Sequence, residues 1–288
     1  MTDHVLTQGS RLKQTAANPF RAQIRRKLGP SMERQIRRLS RFSVVRRLIH
    51  PDPEVQRWIA AGWRTVAATR FRVAAGPFRG LDMKPVGEPG LMTIRELLGV
   101  YEEELHPWIE TLVSHGYRDV IDIGAARGYY AVGLAIRMPE ARIVAFEEQK
   151  AQADVLAQVA GRNGVSSRLE VRGHCDHQSL AAALEGRKGT LIVSDCEGGE
   201  FELLDQSELP ALASCDILVE VHGHLGAGLA PELEHRFQRS HWLFRMMPRK
   251  GKAGAEKLQV PDEWRPDGAY WLLLLRRDHW PAKTAITD

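Results

Sequence analysis

The stretch Asp119-Val-Ile-Asp-Ile-Gly-Ala-Ala-Arg-Gly-Tyr-Tyr-Ala131 decides how this chain folds. It begins with a short apolar run rich in β-branched residues, which is typical of a strand buried on both faces of a parallel sheet. Two glycines, Gly124 and Gly128, follow and allow backbone angles that other residues rarely adopt. The mostly apolar residues after Gly128 predict a helix that ends near Pro139. A strand that turns through glycine into a helix presents unpaired N–H groups to a ligand.

Two interpretations of this turn stay open: an ordinary connection between a strand and a helix, or a site for a nucleotide-type cofactor. The spacing Gly-Ala-Ala-Arg-Gly lacks the Gly-x-Gly-x-x-Gly pattern of dinucleotide-binding proteins. Asp122 lies two positions before the first glycine. A carboxylate at that position suits a positively charged cofactor, such as S-adenosylmethionine, better than it suits a pyrophosphate.

Strands and helices alternate from Asp119 onward, which predicts an α/β fold with a doubly wound, mostly parallel sheet. An antiparallel pair is expected at the sheet edge, and a short hairpin or loop platform is expected before the sheet, at 71–73 and 81–83. The predicted strands of the sheet are 120–123, 142–146, 168–172, 190–195, 216–222, 241–247 and 270–275.

The composition indicates a globular protein, since 43% of the residues are hydrophobic and 26% are charged. No apolar run approaches the roughly 20 residues needed to span a bilayer, and the first residues lack the apolar core of a signal peptide. The three cysteines have neither metal-type nor redox-type spacing, which favours a reducing compartment. Together these features predict a cytoplasmic protein.

The N-terminal part, residues 1–92, is predicted to be a basic and mainly helical extension, followed by a main domain over residues 93–288. Basic residues dominate between Arg21 and Arg47, while apolar residues recur three or four positions apart. The apolar face of such a helix could pack on the main domain or on a second subunit, as in a homodimer. Alternatively, its basic face could contact an anionic surface such as lipid, polysaccharide or nucleic acid. Residues 248–268 are expected to form a lid-like loop.

Several acidic residues follow the predicted strands, and open α/β sheets bind ligands at the carboxyl ends of their strands. Glu147 and Glu148 lie roughly 20 residues beyond the glycine turn, where an acid usually binds ribose hydroxyls. Cys175, after the third strand, could line an adenine pocket or belong to a plain loop. Asp195 ends a run that is too apolar to carry a free surface charge.

A second group of polar residues is expected beside Asp195. Glu220 and His222 are two positions apart on one strand, so that they share a face. Because the fourth and fifth strands should be neighbours, Asp195 and Glu197 would lie close to them. Such a cluster could bind a divalent ion, act as a general base or position a hydroxyl group. A metal is possible here but is not predicted, and His222 or Asp195 is the candidate base or acceptor anchor.

The segments described above resemble a known family, the class I S-adenosylmethionine-dependent methyltransferases, and most of all their FkbM-type branch. The resemblance covers roughly residues 95–225 and departs from the usual pattern at Ala126, where many methyltransferases have glycine. The matching pieces are Val120-Ile-Asp-Ile-Gly-Ala-Ala-Arg-Gly-Tyr-Tyr-Ala131, Ile143-Val-Ala-Phe-Glu147, Val193-Ser-Asp-Cys-Glu-Gly-Gly-Glu-Phe201, Leu218-Val-Glu-Val-His222 and the lead-in Leu98-Gly-Val-Tyr-Glu-Glu-Glu-Leu105.

The resemblance implies a Rossmann-like methyltransferase fold, a seven-stranded sheet with an antiparallel last strand. It also implies methyl transfer from S-adenosylmethionine, with a hydroxyl of a sugar or small metabolite as the expected acceptor. A nicotinamide-dependent oxidoreductase and a catalytically silent methyltransferase-like binding module are the alternatives.

The same resemblance assigns roles to individual residues. Asp122, Gly124 and Gly128 would hold the methionine end of the cofactor, and Glu147 would hold its ribose. Asp195 and Glu197 would face the site of methyl transfer. Further candidate cofactor contacts are Glu102, Ala125, Tyr129, Glu148 and Cys175, and the candidate catalytic residues are Asp195, Glu220 and His222.

Overall fold

The computed structural model describes residues 53–84, 91–247 and 268–281. The predicted basic helix and nearly all of the predicted lid-like loop therefore lie outside the described residues. The chain divides into two compact units, Met1–Ile59 and Ala60–Asp288, and the second unit holds the sheet. The α-helices are α1 (Pro53–Thr69), α2 (Leu91–Leu98), α3 (His106–His115), α4 (Tyr129–Arg137), α5 (Lys150–Arg162), α6 (His177–Leu184), α7 (Glu200–Leu203) and α8 (Leu229–Phe237).

Seven strands form one mixed sheet in the order β3-β2-β1-β4-β5-β7-β6. Strand β7 is antiparallel to both of its neighbours, β5 and β6, whereas β1 to β5 are parallel. This arrangement confirms the predicted doubly wound α/β sheet with an antiparallel pair at its edge. The strands are β1 (Asp119–Ile123), β2 (Arg142–Phe146), β3 (Leu169–Arg172), β4 (Thr190–Ser194), β5 (Cys215–His222), β6 (His241–Met246) and β7 (Ala269–Arg276).

Strand β1 lies inside the sheet between β2 and β4, and its register sets the position of the functional residues. Ile123 pairs with Phe146 of β2 on one side and with Ser194 of β4 on the other. These three strands therefore end at the same level. The residues that follow them, including Glu147 and Asp195, are brought to one edge of the sheet.

Hydrophobic side chains cover both faces of the sheet. One cluster joins the sheet to α3, α4 and α5, and Trp108, Leu134 and Leu156 belong to it. The other joins the sheet to α6 and α8 through side chains such as Leu180 and Phe237. Helices on both faces explain why the central strands are mostly apolar and do not show a regular alternation with polar residues.

The expected hairpin or loop platform at 71–73 and 81–83 is observed as two short segments joined by an isolated antiparallel bridge between Arg72 and Asp82. Backbone hydrogen bonds between the two segments flank the bridge, such as the one from Val73 N–H to Leu81 O at 2.9 Å. Phe78 and Met83 are buried in the same cluster as α3 and α4. Part of the predicted N-terminal extension therefore belongs to the core of the main domain.

Helix α8 was not predicted from the sequence, although its Leu233 and Phe237 are fully buried. None of the described helices is both long enough and apolar enough to cross a membrane. The three cysteines are free thiols.

Candidate functional site

A cleft of about 330 Å³ opens at the carboxyl ends of β1, β2 and β4. The strand order reverses between β1 and β4, and open α/β sheets bind their ligands at such a reversal. Ile123, Phe146 and Leu203 supply apolar parts of the wall. The volume falls within the range of about 300–1,000 Å³ that is usual for small-molecule and cofactor pockets.

The charged groups that line this cleft are mostly acidic. Neither lysine nor arginine occurs among the described lining residues, where His174 is the basic side chain. The local field therefore favours a ligand with positive charge over a polyanion. Six carboxylates contribute to it, those of Glu147, Glu148, Asp176, Asp195, Glu197 and Glu202.

The sequence-predicted cofactor contacts fall into two sets. One set lines the cleft and consists of Gly124, Glu147, Glu148, Cys175, Asp195 and Glu197. The other set is buried and is not part of the described lining; it consists of Glu102, Asp122, Ala125, Gly128 and Tyr129.

The glycine turn is shaped first by contacts within the protein. Gly124 has a φ of 82°, and a Cβ at this position would lie only 1.8 Å from the backbone oxygen of Asp195. Glycine is therefore required because the segments after β1 and β4 pass directly against each other. Ala126, at the departure from the family pattern, has a φ of 45°. The left-handed region costs a residue with a Cβ about 1–2 kcal/mol.

Arg127 attaches the turn to helix α2. Its guanidinium donates to Thr93 Oγ1 at 2.9 Å and pairs with Glu96 Oε2 at 2.6 Å. Thr93 and Glu96 are both buried. Sequence reasoning missed this contact because no motif joins residues more than 30 positions apart in the chain.

Glu147 connects the end of β2 to the glycine turn. Its Oε2 accepts a hydrogen bond from the N–H of Ala126 at 2.9 Å, and its Oε1 accepts one from the N–H of Gln149 at 2.7 Å. A carboxylate can accept about four hydrogen bonds. Glu147 therefore keeps acceptor capacity for hydroxyl groups of a ligand while it fixes the turn.

Asp122 lies at the end of β1, next to the turn, and is almost completely buried. Burial raises the pKa of Asp122 to about 7, as do the charges of Asp195 and Glu147, although a backbone hydrogen bond from Ala131 opposes the shift. Its Oδ2 has no hydrogen-bond partner among the described residues. A cationic group nearby would favour the ionised form.

Glu102 and Tyr129 belong to a buried wall next to α4. Glu102 has a φ of 47° and accepts a hydrogen bond from the hydroxyl of Tyr130. The Tyr129 ring packs edge-on against Phe78 and Tyr101, with ring centroids 5.2 and 5.3 Å away. In this structure both predicted cofactor contacts are engaged with other side chains of the protein.

A sharp turn follows β4 and carries the acidic residues. The N–H of Asp195 donates to Ile123 O at 2.9 Å, which continues the pairing between β4 and β1. Glu197 and Gly198 then adopt φ values of 54° and 108° and reverse the chain. Backbone strain at a residue other than glycine often marks a functional site. Glu197 is left with a highly exposed side chain.

Glu200 opens α7 and has a fully buried side chain. Its Oε1 accepts hydrogen bonds from the backbone N–H of His222 at 2.8 Å and from His222 Nδ1 at 3.0 Å. Its Oε2 accepts one from the N–H of Gly198 at 2.9 Å. Because a carboxylate only accepts, Nδ1 carries a hydrogen and Nε2 points away from Glu200.

Three other carboxylates surround His222 Nε2 at distances of 3.6–3.9 Å, those of Asp195, Glu197 and Glu220. The His224 ring lies 5.9 Å from the His222 ring. Burial by itself lowers the pKa of His222. The hydrogen bond and charge of Glu200, together with the charges of Asp195 and Glu197, outweigh burial and raise that pKa.

The structure thus brings together the three residues predicted to be catalytic. Asp195, Glu220 and His222 offer ligand atoms that all lie within 4.8 Å of one another, a spacing that could hold a metal ion. Asp195 also lines the cleft, so this cluster and the cleft are continuous. Glu200 was not identified as a site residue from the sequence, because its role depends on contact with a strand 22 positions away.

No protein-family model and no curated protein sequence matches this chain. Among solved structures, it is similar to the O-methyltransferase TomG from Streptomyces achromogenes in complex with SAM, with 14% identity over 78% of this chain and 100% of that chain and a TM-score of 0.44. A putative O-methyltransferase from Klebsiella pneumoniae shows 14% identity over 81% and 94% of the two chains, with a TM-score of 0.43. An O-methyltransferase from Bacillus cereus in complex with SAH shows 13% identity over 81% and 96%, with a TM-score of 0.43.

These similarities to S-adenosylmethionine-dependent methyltransferases are distant. The fold is defined instead by the observed sheet. Its order and its antiparallel β7 are those of a typical methyltransferase Rossmann-like fold.

Proposed function

We propose that this chain is an S-adenosylmethionine-dependent methyltransferase of the FkbM type, which methylates a hydroxyl group on a sugar or small metabolite. The main support is the acidic cleft at the point where the strand order reverses. The sulfonium and ammonium groups of S-adenosylmethionine are attracted by this field, whereas the pyrophosphate of a nicotinamide dinucleotide is repelled.

Residues in and next to the cleft are placed to bind different parts of this cofactor. Glu147 would accept hydrogen bonds from the ribose hydroxyls, since its carboxylate retains acceptor capacity. Asp122 is buried next to the glycine turn and does not line the cleft, but its ionised carboxylate would attract the positively charged methionine end of the cofactor. Cys175 would lie at the adenine end. The bound cofactor supplies an electrophilic methyl group on a sulfonium.

The cluster at the end of β5 would align and activate the acceptor. Methyl transfer is an in-line displacement, and it needs alignment, exclusion of water and a base for a hydroxyl acceptor. His222 Nε2 points away from Glu200 toward Asp195 and Glu220. The surrounding carboxylates would stabilise the imidazolium that forms when Nε2 takes the hydroxyl proton.

Isothermal titration calorimetry of the full chain with S-adenosylmethionine, S-adenosylhomocysteine, NAD⁺ and NADH tests the cofactor. We expect saturable binding of the first two and none of the nicotinamide cofactors. The opposite preference would overturn the proposal.

Transfer of a labelled methyl group to a panel of sugars and hydroxylated metabolites tests the reaction. We expect a labelled ether in at least one case. Tight cofactor binding without labelled product across the panel, together with salt-sensitive attachment to an anionic surface, would favour the silent binding module instead.

A further inference from the structure

We propose that Asp195, Glu220 and His222 form a binding site for one divalent metal ion, and that Mn²⁺ is the ion that best matches these ligands. The site lies at the end of β5, beside the acidic cleft. It is inferred from the positions of these side chains and does not depend on the proposed methyl transfer.

The ligand atoms are spaced as a metal requires. His222 Nε2 lies 3.8 Å from Asp195 Oδ1 and 3.9 Å from Glu220 Oε2, and the three ligand atoms all lie within 4.8 Å of one another. Two atoms that bind one ion at about 2.1 Å each are separated by roughly 3.0–4.2 Å for bond angles between 90° and 180°. The two distances from Nε2 are too long for direct hydrogen bonds but fall within the range for ligands of one shared ion.

The imidazole is held as metal-binding imidazoles usually are. A histidine ligand typically donates its second ring N–H to a carboxylate, which fixes the ring orientation and raises the basicity of the metal-binding nitrogen. Glu200 is placed to do this at Nδ1. His222 Nε2 makes no hydrogen bond to any described residue, although the side chain is only 5% exposed. This ring nitrogen, which faces three carboxylates, is therefore available for an ion.

The charge at the site also calls for a cation. Asp195, Glu197, Glu200 and Glu220 all lie within 4 Å of a His222 ring nitrogen. Repulsion among carboxylates that lie this close together is unfavourable, and a divalent ion between them would reduce it.

The ligand types select among ions. Carboxylate oxygens suit Mg²⁺, Ca²⁺ and Mn²⁺, whereas an imidazole nitrogen favours first-row transition metals. Mn²⁺ prefers carboxylate oxygens and, as a first-row transition metal, also accepts an imidazole nitrogen, whereas Mg²⁺ should bind more weakly because it prefers oxygen ligands only. The Irving–Williams order implies that Zn²⁺ would compete with Mn²⁺ for the same ligands. Three protein ligands leave coordination positions open. If the chain is the methyltransferase proposed above, His222 Nε2 cannot hold the ion and take the hydroxyl proton at the same time. In the metal-loaded chain an acceptor hydroxyl would occupy an open position beside the cleft, and the ion would lower the pKa of that hydroxyl in place of the imidazole base.

Titration of the full, EDTA-treated chain with Mn²⁺, followed by electron paramagnetic resonance of the free ion, tests the proposal without any substrate. We expect one equivalent of Mn²⁺ to bind, and an equal concentration of Mg²⁺ to compete poorly. Absence of saturable binding below about 1 mM Mn²⁺ in the wild-type chain would overturn the site, whether or not the chain binds S-adenosylmethionine.

Substitutions then locate the ion. Glu220→Gln and His222→Ala should each weaken Mn²⁺ binding at least tenfold, as should Asp195→Asn, whose side chain is about one-third exposed and therefore tolerant of change. Glu202→Gln is the matched control, because it removes the same charge from the cleft without removing a ligand. Circular dichroism identifies variants that fail to fold. Wild-type affinity in folded Asp195→Asn and Glu220→Gln proteins would show that the ion binds elsewhere.

Discussion

One carboxylate oxygen of Glu200 accepts two hydrogen bonds from His222, from the backbone N–H at 2.8 Å and from Nδ1 at 3.0 Å. The other oxygen of Glu200 accepts the N–H of Gly198. This side chain thereby fixes the end of β5 relative to the turn after β4. It also sets which ring nitrogen of His222 faces the neighbouring acids.

The first prediction is that Glu200→Gln lowers the pKa of His222. Burial favours the neutral ring, and the charge of Glu200 is a main reason why the pKa of His222 lies above its ordinary value of 6.5. Without that charge, the lowering of the pKa by burial is opposed only by the more distant carboxylates, so the pKa should fall. A ¹H–¹⁵N titration in the presence of EDTA, with the His222 signal assigned from the His222→Gln protein, should show the shift. Glu208→Gln, an exposed change, serves as the control, and an unchanged titration in Glu200→Gln would contradict the role of Glu200.

The second prediction concerns the reaction itself. With an acceptor from the methyl-transfer panel, His222→Ala should lower kcat by about 10²–10⁴-fold, the usual contribution of a positioned acid or base. The Kd for S-adenosylmethionine should change little, because His222 is not among the described residues that line the cleft. Turnover at the wild-type rate would remove His222 from the mechanism. The control variant Glu208→Gln should leave both kcat and the Kd for S-adenosylmethionine at their wild-type values.

Local sequence patterns carried enough information to predict the sheet. The predicted strand at 142–146 coincides with β2, and the others differ from the observed strands by one residue or two at their ends. Buried parallel strands are easy to recognise because continuous apolar runs alternate with glycine-terminated helices. Helix α8 was missed because Gly226 and Gly228 precede it and Pro231 lies in its first turn, while burial of Leu233 and Phe237 stabilises it.

The site could be predicted only as far as strand order determines it. Knowing that β4 and β5 are neighbours was enough to place Asp195 near His222. The role of Glu200 depends on how α7 folds back onto β5, and no periodicity encodes this contact. The contact from Arg127 to α2 was missed for the same reason.

The third prediction is that Asp122→Asn changes how stability depends on pH. The pKa of Asp122 is about 7 in the folded chain against an ordinary 3.8, so the folded state binds the proton more tightly than the unfolded state. Wild-type stability should therefore fall as pH rises from about 4 to 7. Asparagine does not titrate. The unfolding free energy of Asp122→Asn, relative to that of the wild type, should therefore rise by about 2–4 kcal/mol between pH 4 and pH 8. Urea unfolding at both pH values measures the gain, and a constant difference would contradict the shifted pKa.

The fourth prediction is that Glu147→Gln weakens S-adenosylmethionine binding by about 10–100-fold, since hydrogen bonds to a charged group contribute about 1.5–3 kcal/mol. The amide would also place a donor against the N–H of Ala126 or Gln149, so the turn itself should loosen. Calorimetry provides the affinity. Glu148→Gln is the comparison, because it removes an equal charge from the cleft but leaves the turn's hydrogen bonds intact, and its loss should be clearly smaller. Equal losses in both variants would indicate that only the overall charge matters.

The last prediction separates two positions of the same turn that look alike in the sequence. A methyl group at Gly124 would collide with the backbone oxygen of Asp195 at 1.8 Å in a left-handed conformation, so Gly124→Ala should cost more than about 3 kcal/mol of unfolding free energy. Ala126 already carries a Cβ at a φ of 45°, and Ala126→Gly would relieve about 1–2 kcal/mol of strain while adding about 0.4–1 kcal/mol of unfolded-state entropy. The net effect at Ala126 should lie between neutrality and a gain of about 1.6 kcal/mol of unfolding free energy. Chemical unfolding of both variants distinguishes the cases. A tolerated Gly124→Ala would show that the segments after β1 and β4 are not packed together as described.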